Sequence, residues 1–382
     1  MQPNITILGG GIAGLSTALA LSKIGIVAHL FESASEVKPV GAGLALAANA
    51  MMGFKKIGIA EEVASLGRFL EAFSIYDQQG KLISQTITAE LSQSFGQDNF
   101  TIHRAQLHAL LLSKLSHLPI QTNKRATHFE QILGKIRVFF QDGSHHDTDY
   151  LIAADGIHSA IRQQLLPKAY PRYAGYTCWR AVIDNNKLGL REASETWGKN
   201  GRFGIVPLAN EQVYWFACIN APQNSPKMKN FKVADLCAQF AHYHATIPEI
   251  LGATSDEQLI WNDIIDLEPI RQYAHGQILL IGDAAHATTP NMGQGACQAI
   301  EDAAMLLEIL EKESDFAKAF KLFEQKRLAR THFIVNTSWK IGKVAQVESP
   351  FLIWLRNSFF RMIPKSINQK QLRKIYEVDF KY

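Results

Sequence analysis

Cysteine is scarce in this chain, and its spacing excludes more than its number does. Cys178, Cys218, Cys237 and Cys297 are the four in 382 residues and form no CxxC pair, which removes zinc-ribbon and dithiol-exchange chemistry and leaves small core residues of a reducing compartment. Metal-ligand spacing is missing too. There is no His-x-x-x-His and no cluster of carboxylates, and His286 has no partner at such a spacing, so no metal is expected and His286 reads as structural. Basic charge is not concentrated enough for nucleic acid: the net charge is +4, and lysines and arginines do not interleave with aromatics along one run. The apolar N-terminus has no basic leader, so it is not read as a signal peptide, and cytoplasm is the expected location. Phe351-Leu352-Ile353-Trp354-Leu355 and Phe359-Phe360 are interrupted by Arg356 and Arg361 and cannot span a bilayer. With Lys365, Lys370, Arg373 and Lys374 they leave room for weak peripheral contact with a membrane surface, although a helix docked on the core with solvated basic residues is the plainer expectation. Internal repeats and low-complexity linkers are absent as well.

What the chain does have is glycine, in two turns about 270 residues apart. Gly9-Gly10-Gly11-Ile12-Ala13-Gly14 follows a strand-like run, Ile5-Thr6-Ile7-Leu8, and opens a helical stretch, Ala13 to Ile24, that Gly25 stops. This G-x-G-x-x-G turn points backbone N–H groups and the positive end of a helix at a phosphate, which makes Gly9, Gly11, Ile12, Ala13 and Gly14 candidate contacts. A second strand, Val27 to Phe31, ends in Glu32, roughly 20 residues on, where an acidic side chain meets a ribose hydroxyl. Alone, this unit does not separate NAD from FAD.

The late turn does separate them. Gln277 to Ile281 is another buried-strand pattern, and its exit places Gly282 and Asp283 at the carboxyl edge of a sheet. Asp283, acceptor-only when ionised, suits the hydroxyls of a ribityl chain, which nicotinamide cofactors lack, so FAD is the expected cofactor. Downstream, Gly293, Gln294, Gly295 and Ala296 open a helix with apolar residues at Ala296, Ile300, Ala303, Ala304 and Leu307. Glycines there let amides approach a flat ring, and a helix N-terminus stabilises negative charge on a reduced flavin. A third element, Leu151 to Ser159 with Arg162, is a strand running into an Asp155-Gly156 turn and a short helix.

Asp155-Gly156 with Ser159 and Arg162, joined to the early and late turns, resembles the class A flavoprotein monooxygenases, the para-hydroxybenzoate hydroxylase-like FAD-dependent aromatic hydroxylases, over nearly the whole chain. The likeness extends to Gly41-Ala42-Gly43-Leu44 with Asn49-Ala50, to Ile102 through Leu107, to Trp179-Arg180 and to Glu301-Asp302-Ala303; Ala48 departs from it, since many relatives have proline there. The resemblance implies that Gly43 and Arg104 contact the flavin cofactor, that Asp155 helps organise the pyrophosphate and nicotinamide region, that Pro290 borders the flavin hydroperoxide, and that Gly293 to Ala296 meet the ring. It also implies the reaction: NADH or NADPH, bound transiently because only one dinucleotide fingerprint is present, reduces FAD by hydride transfer. O2 then adds at flavin C4a, and the distal oxygen attacks a small aromatic or heteroaromatic substrate. A flavin-dependent reductase or oxidase, or an isoprenoid epoxidase, on the same scaffold is the alternative.

Three cofactor motifs spread along the chain require a discontinuous α/β, Rossmann-like FAD-binding domain, here 1–72, 101–167 and 269–345. Between them, 73–100 and 168–268 carry alternating segments such as Phe203 to Pro207 and Val213 to Cys218, read as a largely antiparallel substrate sheet that roofs the flavin, with C-terminal helices over 346–382. Trp179, Arg180, Arg202, Tyr214 and Trp215 are its substrate candidates, since an aromatic wall plus one cation suits a planar, partly anionic ring. Alternation puts Tyr214 and Phe216 on one face and Trp215 on the other, so these residues cannot all line one pocket. With Pro290, Tyr214 as candidate base and Arg202 as candidate cation complete the expected catalytic set. The oligomeric state is left as monomer or homodimer.

Overall fold

Short apolar strands without polar alternation need cover on both faces. The computed structural model, which describes residues 3–36, 42–89, 96 and 98–381, supplies it; Gly41 of the glycine pair before Leu44 lies outside these residues. Ile5–Leu8 (β1) runs between Ala28–Phe31 (β2) and Tyr150–Ala153 (β12), with Ile278–Leu280 (β19) beyond, all parallel. Ile120–Gln121 (β8) and the antiparallel Ala274–His275 (β18) close the edges of this six-stranded sheet, in the order β18-β19-β12-β1-β2-β8. The helix expected over Ala13 to Ile24 runs Ile12–Lys23 and packs on Gly295–Leu310, so the segments after both glycine turns share one face. Helix Phe316–Ala345 covers that layer and reaches back to β18, where Glu324 accepts from the amides of Tyr273 and Ala274.

The second sheet has seven strands, in the spatial order Ile260–Leu267 (β17), Pro171–Asp184 (β13), Gln212–Asn220 (β16), Gly201–Leu208 (β15), Ala193–Gly198 (β14), Ala72–Asp77 (β5) and Leu82–Ile87 (β6). All neighbours are antiparallel except β14 and β5. Register divides its faces: Trp179 pairs with Ala217 and Phe203 also with Ala217, whereas Arg180 pairs with Phe216 and Gly204 with Phe216. Trp179, Phe203 and Trp215 fall on the outer face under helices Val233–Gln239 and Thr246–Gly252, with Phe203 and Trp215 stacked at 5.2 Å. Each such fully buried ring contributes roughly 1.5–3 kcal/mol by leaving water. Trp179 and Trp215 are therefore core residues rather than parts of a substrate wall.

Two three-stranded sheets complete the strands. Gly43–Leu46 (β3), Phe100–His103 (β7) and Arg68–Phe69 (β4) lie in the order β3-β7-β4 and bridge the two large sheets, Thr101 Oγ1 donating to Pro207 O at 2.5 Å. Ala126–Ile132 (β9), Lys135–Phe140 (β10) and His145–Thr148 (β11) form an antiparallel flap. Helices Pro350–Met362 and Lys365–Tyr376 end the chain. Among the described residues no helix is long and apolar enough to cross a membrane.

Candidate active site

Gly9, Glu32, Asp155 and Gly282 each leave the carboxyl end of one of four adjacent parallel strands, so motifs up to 270 residues apart meet along one edge. Close backbone approach explains the glycines there. A Cβ on Gly9, whose φ is +103°, would lie 2.3 Å from Ala154 O; one on Gly14 would lie 1.9 Å from Gly9 O. A Cβ on Gly282 would stand 2.7 Å from that of Ala13, so the early and late turns touch. Gly11, by contrast, faces open space. It caps helix Ile12–Lys23 without any side-chain hydrogen bond and with no acidic residue in the first turn, which leaves the first N–H groups and the positive helix end free for an anion. Glu32 sits beside them, accepting from Gly10 N at 2.6 Å and from Ala34 N at 2.7 Å.

Asp283 and Arg104 both reach solvent although protein surrounds them, as groups on the floor of an open cleft do. Loss of hydration pushes the Asp283 carboxyl up and the Arg104 guanidinium down, each partly offset by the other's charge. Neither side chain has a hydrogen-bond partner among the described residues. Asp155 is similar: Oδ2 accepts from Ala160 N at 3.1 Å, Oδ1 is buried without a partner, and burial raises its pKa. Charged groups facing a cleft with unmet hydrogen-bonding capacity, beside an uncapped helix N-terminus, fit the phosphates, ribose and ribityl chain of FAD.

Behind the cleft lies a buried ionic cluster that holds the late turn. Asp302 Oδ2 accepts from Gly282 N at 2.8 Å and pairs with His286 Nε2 at 2.7 Å, while Oδ1 takes Arg327 Nε at 2.7 Å. Glu301 binds Arg327, Arg330 (2.6 and 2.7 Å) and Asn49, and Asn49 also donates to Gln294 Oε1 at 2.9 Å. Burial alone would raise both carboxyls, but Arg327 with Arg330 holds Glu301, and His286 with Arg327 holds Asp302, below the ordinary range. His286 is thus engaged by Asp302 at the back of the late turn. Arg327 and Arg330 carried no sequence signal, since they sit on a helix of mixed polarity 25 to 29 residues downstream. The Ala48 departure also finds a use: its amide donates to Asn99 Oδ1 at 3.2 Å, a bond proline cannot make.

The cleft's other wall is the inner face of the seven-stranded sheet. Tyr214 and Phe216 lie there together, 6.0 Å between ring centroids, and the Tyr214 ring fills the space over Gly43, where a Cβ would be 2.7 Å away. Arg180 shares this face, donating to Asn262 Oδ1 at 2.8 Å while its Nε is buried without a partner. Burial pushes the Tyr214 phenol up, which favours its protonated form and weighs against its reading as a base.

Arg202 is also placed differently from expectation. It is 2% exposed, pairs with Glu195 at 2.9 Å, bonds Asn291 Oδ1, and lies 5.1 Å over the Tyr176 ring. Tyr176 donates to the same Asn291 oxygen at 2.9 Å, and Asn291 Nδ2 donates to Thr289 Oγ1 and Ser338 O, both at 2.8 Å. Arg202, on the same inner face as Arg180 and Phe216, thus anchors the turn Pro290–Met292 instead of offering both guanidinium arms to a substrate. After that turn comes Gly293, with φ +62°, and then helix Gly295–Leu310, whose first turn has neither side-chain cap nor acid; the buried Gln294 is spent on Asn49 and Gln298.

Residues 3–332 match the family described as FAD binding domain. The chain is 36% identical over 366 residues to the aurachin C monooxygenase/isomerase of Stigmatella aurantiaca, covering 95% of each, and 33% identical over 377 residues to the 2-heptyl-3-hydroxy-4(1H)-quinolone synthase of Pseudomonas aeruginosa, covering 97% of each. The crystal structure of Klebsiella pneumoniae HpxO complexed with FAD and uric acid superimposes with a TM-score of 0.91 at 27% identity, over 98% of this chain and 96% of that one.

Proposed function

The chain belongs to the FAD binding domain family and is a class A flavoprotein monooxygenase, an FAD-binding oxidoreductase, and from that premise we propose that it uses NAD(P)H and O2 to hydroxylate a small heteroaromatic ring, with quinolones the first class to try. The observation that carries the proposal is the cleft itself. One wall is backbone and short charged groups, the other is the aromatic face of Tyr214 and Phe216, and Gly43 brings the two into contact. One relative is named for the quinolone it makes, and the superimposed HpxO complex holds uric acid; both compounds are flat, nitrogen-containing bicycles.

On this reading 1–72, 101–167 and 269–345 carry the cofactor, and 73–100 and 168–268 the substrate. Gly9, Gly11, Ile12, Ala13 and Gly14 would hold the pyrophosphate, Glu32 a ribose, and Asp283 the ribityl hydroxyls. Arg104, Asp155, Gly43 and the Gly293–Ala296 turn would border the rest. FAD bound there supplies hydride acceptance from a nicotinamide and activation of O2 once reduced. Tyr214 and Phe216 stack the substrate ring, Arg180 offers a cation to an anionic ring oxygen, and the Tyr214 hydroxyl donates a hydrogen bond to a carbonyl or hydroxyl of the substrate. Pro290, fixed through Asn291, closes the reacting edge against water.

Anaerobic bleaching of the bound flavin by NADH and NADPH tests this directly, across 2-alkyl-4-quinolones, purines and phenolic acids. Reduction accelerated by one ligand, with an 18O atom from 18O2 in the product, is the expected result. Fast reduction that no ligand changes and a product without 18O would instead assign a reductase or oxidase.

A further inference from the structure

The helix Pro350–Met362 has two unlike faces. Its inner face is fastened to the seven-stranded sheet: Phe360 meets Trp197 edge-on at 5.6 Å, Arg356 lies 5.0 Å over the same ring and donates to Ala345 O at 3.0 Å, and Arg361 pairs with Asp77 at 2.6 Å. The outer face is where a solvated helix would carry charge. It carries Phe351, Leu352, Trp354, Leu355, Phe359 and Met362 instead, with Phe351 66%, Trp354 63% and Met362 80% exposed. Those six occupy one arc of the helix at spacings of one, three and four residues, so they form a continuous apolar strip rather than scattered leucines.

Charge decides what covers it. From 350 to the end the sequence has seven basic and two acidic residues, against a net charge of +4 for the whole chain, so the rest of the molecule is close to neutral. Lys370 and Lys374 are exposed on the following helix. An isologous contact with a second copy would bring this basic fringe against itself, which costs free energy in a symmetric interface. An anionic lipid surface accepts both the strip and the fringe, and a 13-residue helix is too short to cross.

We propose that the outer face of Pro350–Met362 lies in the interface of an anionic membrane, as a peripheral anchor for the enzyme. Trp354, an amphipathic ring on the flank of the strip, sits at headgroup depth, and the basic residues after it meet lipid phosphates.

The FAD-loaded protein is floated with vesicles of phosphatidylcholine alone or of phosphatidylcholine with one quarter phosphatidylglycerol. Binding to the anionic vesicles is expected, at least tenfold weaker for the Trp354→Ser/Phe359→Ser double variant, with flavin absorbance and melting unchanged because both positions are exposed. Tryptophan emission should shift to the blue on anionic vesicles and lose that shift in Trp354→Phe, which keeps the apolar ring. Absence of flotation, or variants that float like the parent, overturns the proposal. Equal flotation with phosphatidylcholine alone overturns its anionic part. A dimer that the double variant dissociates assigns the strip to a second copy and overturns it as well.

Discussion

The edge of the six-stranded sheet and the inner face of the seven-stranded sheet meet in one cleft but are built differently. The first is backbone: glycines at Gly9 and Gly14 let main chains touch, Gly282 lets Ala13 come close, uncapped helix ends point into the cleft, and a buried ionic cluster locks the turn from behind. The second is side chain: Tyr214, Phe216 and Arg180 project from strands whose register alone determines their neighbours. The close contacts at Gly9, Gly14 and Gly282 leave no room for an added atom, whereas a side-chain wall can yield. This is the physical ground on which one scaffold can keep its cofactor while its substrate changes.

Matched glycine substitutions break or sharpen this contrast most strongly. In Gly14→Ala the new Cβ meets a carbonyl oxygen at 1.9 Å, so the turn must open, and the purified protein should retain less than about one tenth of its flavin, read from the 450 nm to 280 nm absorbance ratio. In Gly204→Ala the Cβ meets the Phe216 ring at 2.1 Å, a side chain that can swing away. Flavin content should stay near that of the parent while ligand-stimulated reduction falls. Equal flavin loss in both would erase the distinction between the two walls.

The ionic cluster comes next. Arg327→Met leaves Glu301 and Asp302 buried without their main cation, a loss of about 3–5 kcal/mol read from the denaturation midpoint at pH 7. The pH dependence has a definite sign. Both carboxyls are held below their unfolded values of about 4.3 and 3.9, so in the parent their stabilisation is complete above about pH 5 and disappears as pH falls through the folded values. Without Arg327 burial is opposed by less charge, so protonation relieves the fold and the variant's deficit should narrow as pH is lowered towards 4.

Asp283 tests the same half from the other side. Its carboxyl is pushed up by loss of hydration, so its charged form opposes folding above the unfolded value near pH 3.9, increasingly so as pH rises through the folded value. Asp283→Asn should therefore melt higher than the parent as apo-protein at pH 7. The holo-protein should bind FAD roughly 10- to 100-fold more weakly, since hydrogen bonds to a charged acceptor contribute about 1.5–3 kcal/mol. Apo and holo melting curves moving in the same direction would remove Asp283 from the cofactor's contacts.

The contrast also explains what the sequence discloses. Gly9, Gly14, Glu32, Gly282 and Asp283 are legible because backbone geometry demands those residue types at those spacings, and the family likeness extends the reading to Asp155 and Arg104. Trp215 and Tyr214 are separable onto two faces by alternation, but nothing in the strand pattern says which face meets the cleft; that depends on helices Val233–Gln239 and Thr246–Gly252 covering the other. Arg202 shows the same limit, since its partners Glu195 and Asn291 come from another strand and from the late turn. Arg327 and Arg330 are invisible because a partner on another helix has no sequence spacing to obey. The C-terminal helix docks as its pattern predicts, yet shows solvent its apolar strip rather than its charges.

Tyr214→Phe carries the smallest expected effect and the finest distinction. The ring that covers Gly43 stays, so flavin content and spectrum should not change. What disappears is a hydroxyl that burial keeps protonated, a donor worth about 0.5–1.5 kcal/mol to a bound carbonyl, so ligand-stimulated reduction should weaken by roughly 2- to 12-fold. A donor makes the same contribution at every pH where it holds its proton, so parent and variant profiles should run parallel from pH 6 to 9. A base would behave otherwise: its removal costs about 100-fold or more and deletes one limb of the profile. If Tyr214→Phe lost that limb, the phenol would be ionising in the complex, and Arg180, the cation on the same face, would be the group stabilising its anion.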